Sequence, residues 1–105
     1  MDYHGMTIKT AQFLNDMTDE LKSARRKFPS SDAAMVALVE EVGELAKAML
    51  EESTDRVWAE AVQVAAMACR VASEGDSTLD CVREARGVEA TVPTAAGAED
   101  SSGAV

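Results

Sequence analysis

A chain of 105 residues holds one domain at most. With 47% hydrophobic residues, 4% aromatics and few Gly or Pro, it favours helices over strands. A formal net charge of −9 repels phosphate backbones and anionic lipid, so nucleic acid and membrane surfaces are excluded as expected partners, and a polyphosphate substrate needs a cation as intermediary.

The first helix is predicted over 7–27. Its apolar residues Leu14, Met17, Leu21, Ala24 and Phe28 recur at alternating spacings of three and four, one stripe for core packing. Arg25, Arg26 and Lys27 suit a helix C-terminus, and Pro29 discourages continuation.

Ser30, Ser31 and Asp32 offer N-caps for a second helix over 33–52. There Met35, Leu38, Val39, Val42, Leu45, Ala46, Met49 and Leu50 share one apolar arc, with Glu40, Glu41, Glu44 and Glu51 on the other side. Gly43, in mid-helix, marks either close approach by a neighbour or a tolerated glycine. Ser53 to Asp55 supply turn and cap residues for a third helix over 56–74. This helix is apolar round most of its circumference, and Glu60, Gln63, Arg70 and Glu74 are confined to one narrow strip. Such a helix is buried on several sides, and three short helices from one chain hardly suffice, so an oligomer centred on it is expected.

Gly75 ends that helix, and Asp76, Ser77 and Thr78 cap a short fourth one reaching about residue 85, with Ser77 and Asp80 as a loose capping box. A helical domain over 1–86 is thus expected, followed by a disordered tail over 87–105, where small and polar residues prevail without period. Cys69 and Cys81, with His4 as the single histidine, are too few for a zinc site and read as reduced, partly buried thiols. No apolar run is long enough to span a bilayer and the first nine residues show no signal-peptide segment, so a soluble, cytoplasmic protein is expected.

Glu40, Glu41 and Glu44 form an E-E-x-x-E pattern, whose spacing places residues on one helical face. Alone it describes a solvated acidic face equally well. Glu60 and Gln63 lie on the one polar strip of the third helix, and in an antiparallel hairpin that strip meets the second helix. Facing carboxylates repel and raise one another's pKa, a conflict that Mg²⁺ resolves by taking oxygen ligands. Inward carboxylates on paired helices are one way of building such sites.

Three segments carry a resemblance: ALVEEVGELAKAML at 37–50, WAEAVQVAAM at 58–67, and the Lys27-Phe28-Pro29 lead-in. From about residue 13 to 76 the chain resembles the MazG-like all-α nucleotide pyrophosphohydrolases, whose signature is E-E-x-x-E followed by E-x-x-D on a second helix. The resemblance implies a four-helix-bundle-type homodimer or homotetramer. It also implies Mg²⁺-dependent cleavage of a nucleoside triphosphate to monophosphate and pyrophosphate, with Mn²⁺ as an alternative ion. By position it implies Glu41, Glu44, Glu60 and Gln63 as metal ligands and Glu40 as the group that orients or deprotonates the attacking water. Gln63 stands where the family has Asp; its amide oxygen still ligates but brings no charge, so weaker metal binding is expected. Arg26, Lys27 and Lys47, with Arg25, are candidates for phosphate contact or for solvated helix-end charge. Trp58 either stacks on a base or packs in the core. Two rival readings are a weakened member that binds nucleotides as a sensor or sequestering protein, and an acidic helical interaction module.

Overall fold

Each helix begins and ends where a side chain or a backbone turn can take up the groups that an α-helix leaves unpaired. The computed structural model describes residues 7–93, all helical or loop; His4 and the tail from 94 to 105 lie outside the described residues. Four helices follow in order: α1 (Ile8–Lys27), α2 (Ala34–Glu51), α3 (Thr54–Glu74) and α4 (Ser77–Ala85). The fold class is all-α.

Thr7 caps α1, its hydroxyl accepting from the Thr10 N–H at 3.1 Å, and Arg25, Arg26 and Lys27 occupy the last turn. Ser53 caps α3 in the same way through the Arg56 N–H. The cap of α2 differs from the expectation. Ser30, Ser31 and Asp32 do not cap it; Ala33 stands at the N-cap with φ 55°, and the Met35 N–H donates at 2.7 Å to Oδ2 of Asp76, 41 residues away. The other oxygen of Asp76 accepts from Thr78 and Leu79, so one carboxylate caps α2 and α4 together.

The Ser77–Asp80 capping box is also corrected. Asp80 turns forward and accepts from the Thr91 N–H, the Thr91 hydroxyl and the Val92 N–H. In the stretch read as a tail, the part up to Pro93 therefore runs back along α4.

α3 is the central helix, packed against α2 on one side and α1 on the other. The α2–α3 hairpin turns through Glu52 and Ser53. The apolar core is thin: Ala34, Ala48, Val62 and Ala66 are buried, and no large side chain among the described residues is fully so. None of the exposed large hydrophobic residues lies on α3. They lie chiefly on α2 (Met35, Val36, Val39, Val42, Met49 and Leu50) and on α4 (Leu79 and Val82). Within the chain α1 and α2 pack on α3, whose apolar residues are buried or half-buried apart from Ala68 and Ala72, and the most exposed apolar face belongs to α2. The buried or half-buried residues of that helix are Ala34, Ala37, Leu38, Glu41, Leu45 and Ala48, which leaves most of its apolar arc outside. Gly43 has no neighbour within 4 Å of where a Cβ would stand, so close approach within the chain does not account for it.

Among the described residues no helix is long and apolar enough to cross a membrane. Both cysteines are free, Cys69 half-buried and Cys81 exposed, so the expectation of burial fails for the second.

Candidate functional site

The polar strip of α3 faces inward. Glu60 and Arg70 are buried, while Gln63 and Glu74 are half-buried. Buried charge is costly unless paired, and each charged member has a partner. Arg56, one turn earlier, is bonded to Glu60 and also to Glu52 at 3.3 Å. Arg70 holds Glu74 at 2.9 Å, and Arg25 of α1 reaches the same carboxylate at 2.7 Å. Burial alone raises the Glu74 pKa, but the hydrogen bonds from Arg70 and Arg25 outweigh it and hold the carboxyl below its ordinary value.

At its other end the strip meets a different environment. Glu41 projects from the side of α2 that packs on α3 and is half-buried, whereas its neighbours Glu40 and Glu44 are exposed. The Glu41 pKa is raised, first by burial and then by Glu60, Glu44, Glu20 and Glu40. Four carboxylates from three helices thus act on one.

Beside them a cavity of about 510 Å³ opens between the helices. Glu20, Glu40, Glu41 and Gln63 line it at the acidic end, and Phe28 and Arg70 at the other. Glu20 and Gln63 also border a second, more open groove with Asp16, Asp19 and Trp58. The Trp58 indole N–H donates to Asp16 at 2.8 Å, and its ring meets Phe13 edge-on with centroids 5.3 Å apart. Trp58 therefore pins α1 to α3, in favour of the packing role.

Of the residues singled out by pattern, Glu40, Glu41 and Gln63 share the cavity, and Glu44 and Glu60 act on Glu41 electrostatically. Arg26 and Lys27 are exposed at the end of α1 and Lys47 is exposed on α2; none lines the cavity. Arg25 is committed to Glu74.

Sequence reasoning missed two residues. Glu20 was discernible from its place at the edge of the α1 stripe, three residues after Met17 and four before Ala24. Arg56 was discernible as the i−4 neighbour of Glu60. Their effects on metal binding are opposite, since Glu20 adds negative charge while Arg56 occupies Glu60. Among the described residues no group of three or more His, Cys, Asp or Glu side chains is gathered closely enough to hold a metal ion. The donor set as it stands does not fit a resident ion.

The chain matches no family model, no curated protein and no solved structure.

Proposed function

We propose that the protein is a nucleotide pyrophosphohydrolase that takes a Mg²⁺–nucleoside triphosphate and releases a monophosphate and pyrophosphate. One observation carries this reading: Glu41, half-buried where α2 packs on α3, has its pKa raised by burial and by the charges of Glu60, Glu44, Glu20 and Glu40, beside a cavity large enough for a nucleotide. The E-E-x-x-E resemblance supplies the reaction. Mg²⁺, or Mn²⁺ in its place, enters as part of the substrate, since Mg²⁺ is commonly bound by one or two carboxylates together with phosphates. Glu40, exposed at the cavity rim, is the proposed base for the attacking water. Glu41 and Gln63, which line the cavity, are the proposed contacts of the cation, with Glu44 and Glu60 adding negative charge beside it. Arg26, Lys27 and Lys47 serve as outer phosphate contacts.

Self-association belongs to the same reading. Met35, Val39, Val42, Ala46 and Met49 repeat at spacings of four and three along the outside of α2, the seam of a helix pair. A homodimer pairing α2 with its copy, each backed by α3, is a four-helix bundle; a homotetramer pairs two such units.

The test incubates the full chain with a panel of nucleoside triphosphates and alarmones plus Mg²⁺, detecting pyrophosphate and monophosphate. Turnover that falls at least about 100-fold in Glu40→Gln is expected; no turnover with any member ends the hydrolase reading.

A second reading, binding without hydrolysis, is favoured by the Arg56–Glu60 pair and by the neutral Gln63. Calorimetry with a non-hydrolysable triphosphate and Mg²⁺ separates the two. Binding without turnover in the native chain, with turnover gained in Gln63→Asp, assigns it to the second.

A further inference from the structure

Residues 88–93 have no helical hydrogen-bond ladder, and four of their backbone groups are nevertheless taken up. The Val88 N–H donates to the Arg83 carbonyl at 2.9 Å, and Arg83 Nε donates to the Glu89 carbonyl at 2.7 Å. Asp80 accepts from the Thr91 N–H at 2.7 Å, the Thr91 hydroxyl at 2.7 Å and the Val92 N–H at 3.1 Å. The Asp76 N–H donates to the Thr91 hydroxyl oxygen at 2.9 Å. Every one of these bonds goes to α4 or its cap, and none to α1, α2 or α3.

The segment lies directly across Gly75. A Cβ there would stand 2.4–2.5 Å from the backbone of Thr91 and Val92, so the strap passes where only glycine leaves room. Beneath it is a second cavity of about 360 Å³ with Met35, Val71, Leu79 and Val82 on its walls, to which Val88 and Thr91 add the outermost one. This cavity is separate from the carboxylate cluster and shares none of its acidic residues.

We propose that residues 88–93 are a clasp, latched by the Asp80 carboxylate, that opens as a unit without unfolding α1–α3 and uncovers the apolar cavity between α2 and α4. Two backbone amides and one hydroxyl converge on a single side chain, so the loss of that side chain removes three of the bonds that hold the outer wall. The inner helices share no hydrogen bond with the clasp and keep their packing. Segments held by few local bonds open at lower free energy than the core they lie on. The clasp stands independently of the nucleotide reading.

Hydrogen exchange on the full chain tests it. In the wild type at low denaturant, the Thr91 and Val92 amides should exchange at least about ten-fold faster than those of Val62 and Ala66, with a weaker dependence on denaturant. In Asp80→Asn the clasp amides should accelerate by about a further ten-fold while α1 and α3 amides are unchanged, and an apolar dye should gain fluorescence. Thr91→Val, which removes only the hydroxyl, should show a smaller change in the same direction. Clasp amides that match Val62 and Ala66 in rate and denaturant slope in the wild type overturn the proposal, whether or not the Asp80 variant folds. So does acceleration by the same factor throughout the chain.

Discussion

At the scale of single residues, Glu41 is where the fold spends stability. Its carboxylate is desolvated by α3 and repelled by Glu60, Glu44, Glu20 and Glu40. An acid whose pKa is raised on folding penalises the native state fully above that folded value and not at all below the unfolded one, near 4.5. Glu41→Gln is therefore expected to stabilise the domain at pH 7, by on the order of 1 kcal/mol if several like-charge contacts are relieved together. Urea midpoints measured at pH 7 and below pH 4 check this, because the gain should vanish at the lower pH. A gain in stability together with loss of turnover would mark Glu41 as a residue kept for function. An E-E-x-x-E spacing does not reveal which of its three acids is turned inward. Only the packing of α2 on α3 separates Glu41 from the exposed Glu40 and Glu44.

At the scale of elements, Asp76 joins helices that are distant in sequence. It is buried, caps α4 through Thr78 and Leu79, and caps α2 through Met35. Asp76→Ala removes two caps at once and is expected to cost about 2 kcal/mol, against roughly half that for Ser53→Ala at the single cap of α3. Chemical denaturation of the two variants decides the ratio. Two glycines should respond in opposite directions. Gly43 lies on an open helical surface, so Gly43→Ala should stabilise the monomer by about 0.5–1 kcal/mol. Gly75→Ala should destabilise by more than that, since φ is +77° and the new Cβ strikes the Thr91 backbone. Thermal midpoints of both variants at low protein concentration test the signs. Ser53, Gly75 and Asp76 were legible as punctuation because their neighbours in sequence take up the bonds. The cap of α2 was not, because its acceptor lies 41 residues away.

At the scale of the whole molecule, the uncovered side of α2 dominates. The exposure of Met35, Val36, Val39, Val42, Met49 and Leu50 leaves roughly 600 Å² of apolar side chain in one band, the upper end of what monomers carry. Covered twice over in a symmetric pair, such a band reaches about 1,200 Å², the lower bound of a stable interface. In an antiparallel pair centred near Gly43, Lys47 on one flank comes opposite Glu40 of its copy. The expected outcome is a mass that doubles with concentration in sedimentation, and a dimer weakened at least about 100-fold by Val39→Glu, since a carboxylate in that seam is desolvated without a partner. A mass that stays monomeric at every concentration would refute the pairing.

The sequence by itself determined the four helices, most of their boundaries and an inward polar strip on α3, because hydrophobic periodicity and local capping act within a few residues. It also placed Glu60 and Gln63 on that strip. Only the tertiary structure decided which face of α2 is covered, that Glu20 joins the acidic group, that Asp76 caps a helix from another part of the chain, and that Asp80 holds the segment after α4. These depend on how far apart helices come to rest, and a helical face carries no information about which part of it its neighbour will take. The apolar arc of α2 pointed one way, and α3 instead packs at its edge, where Ala34 and Ala48 are buried and Glu41 is half-buried.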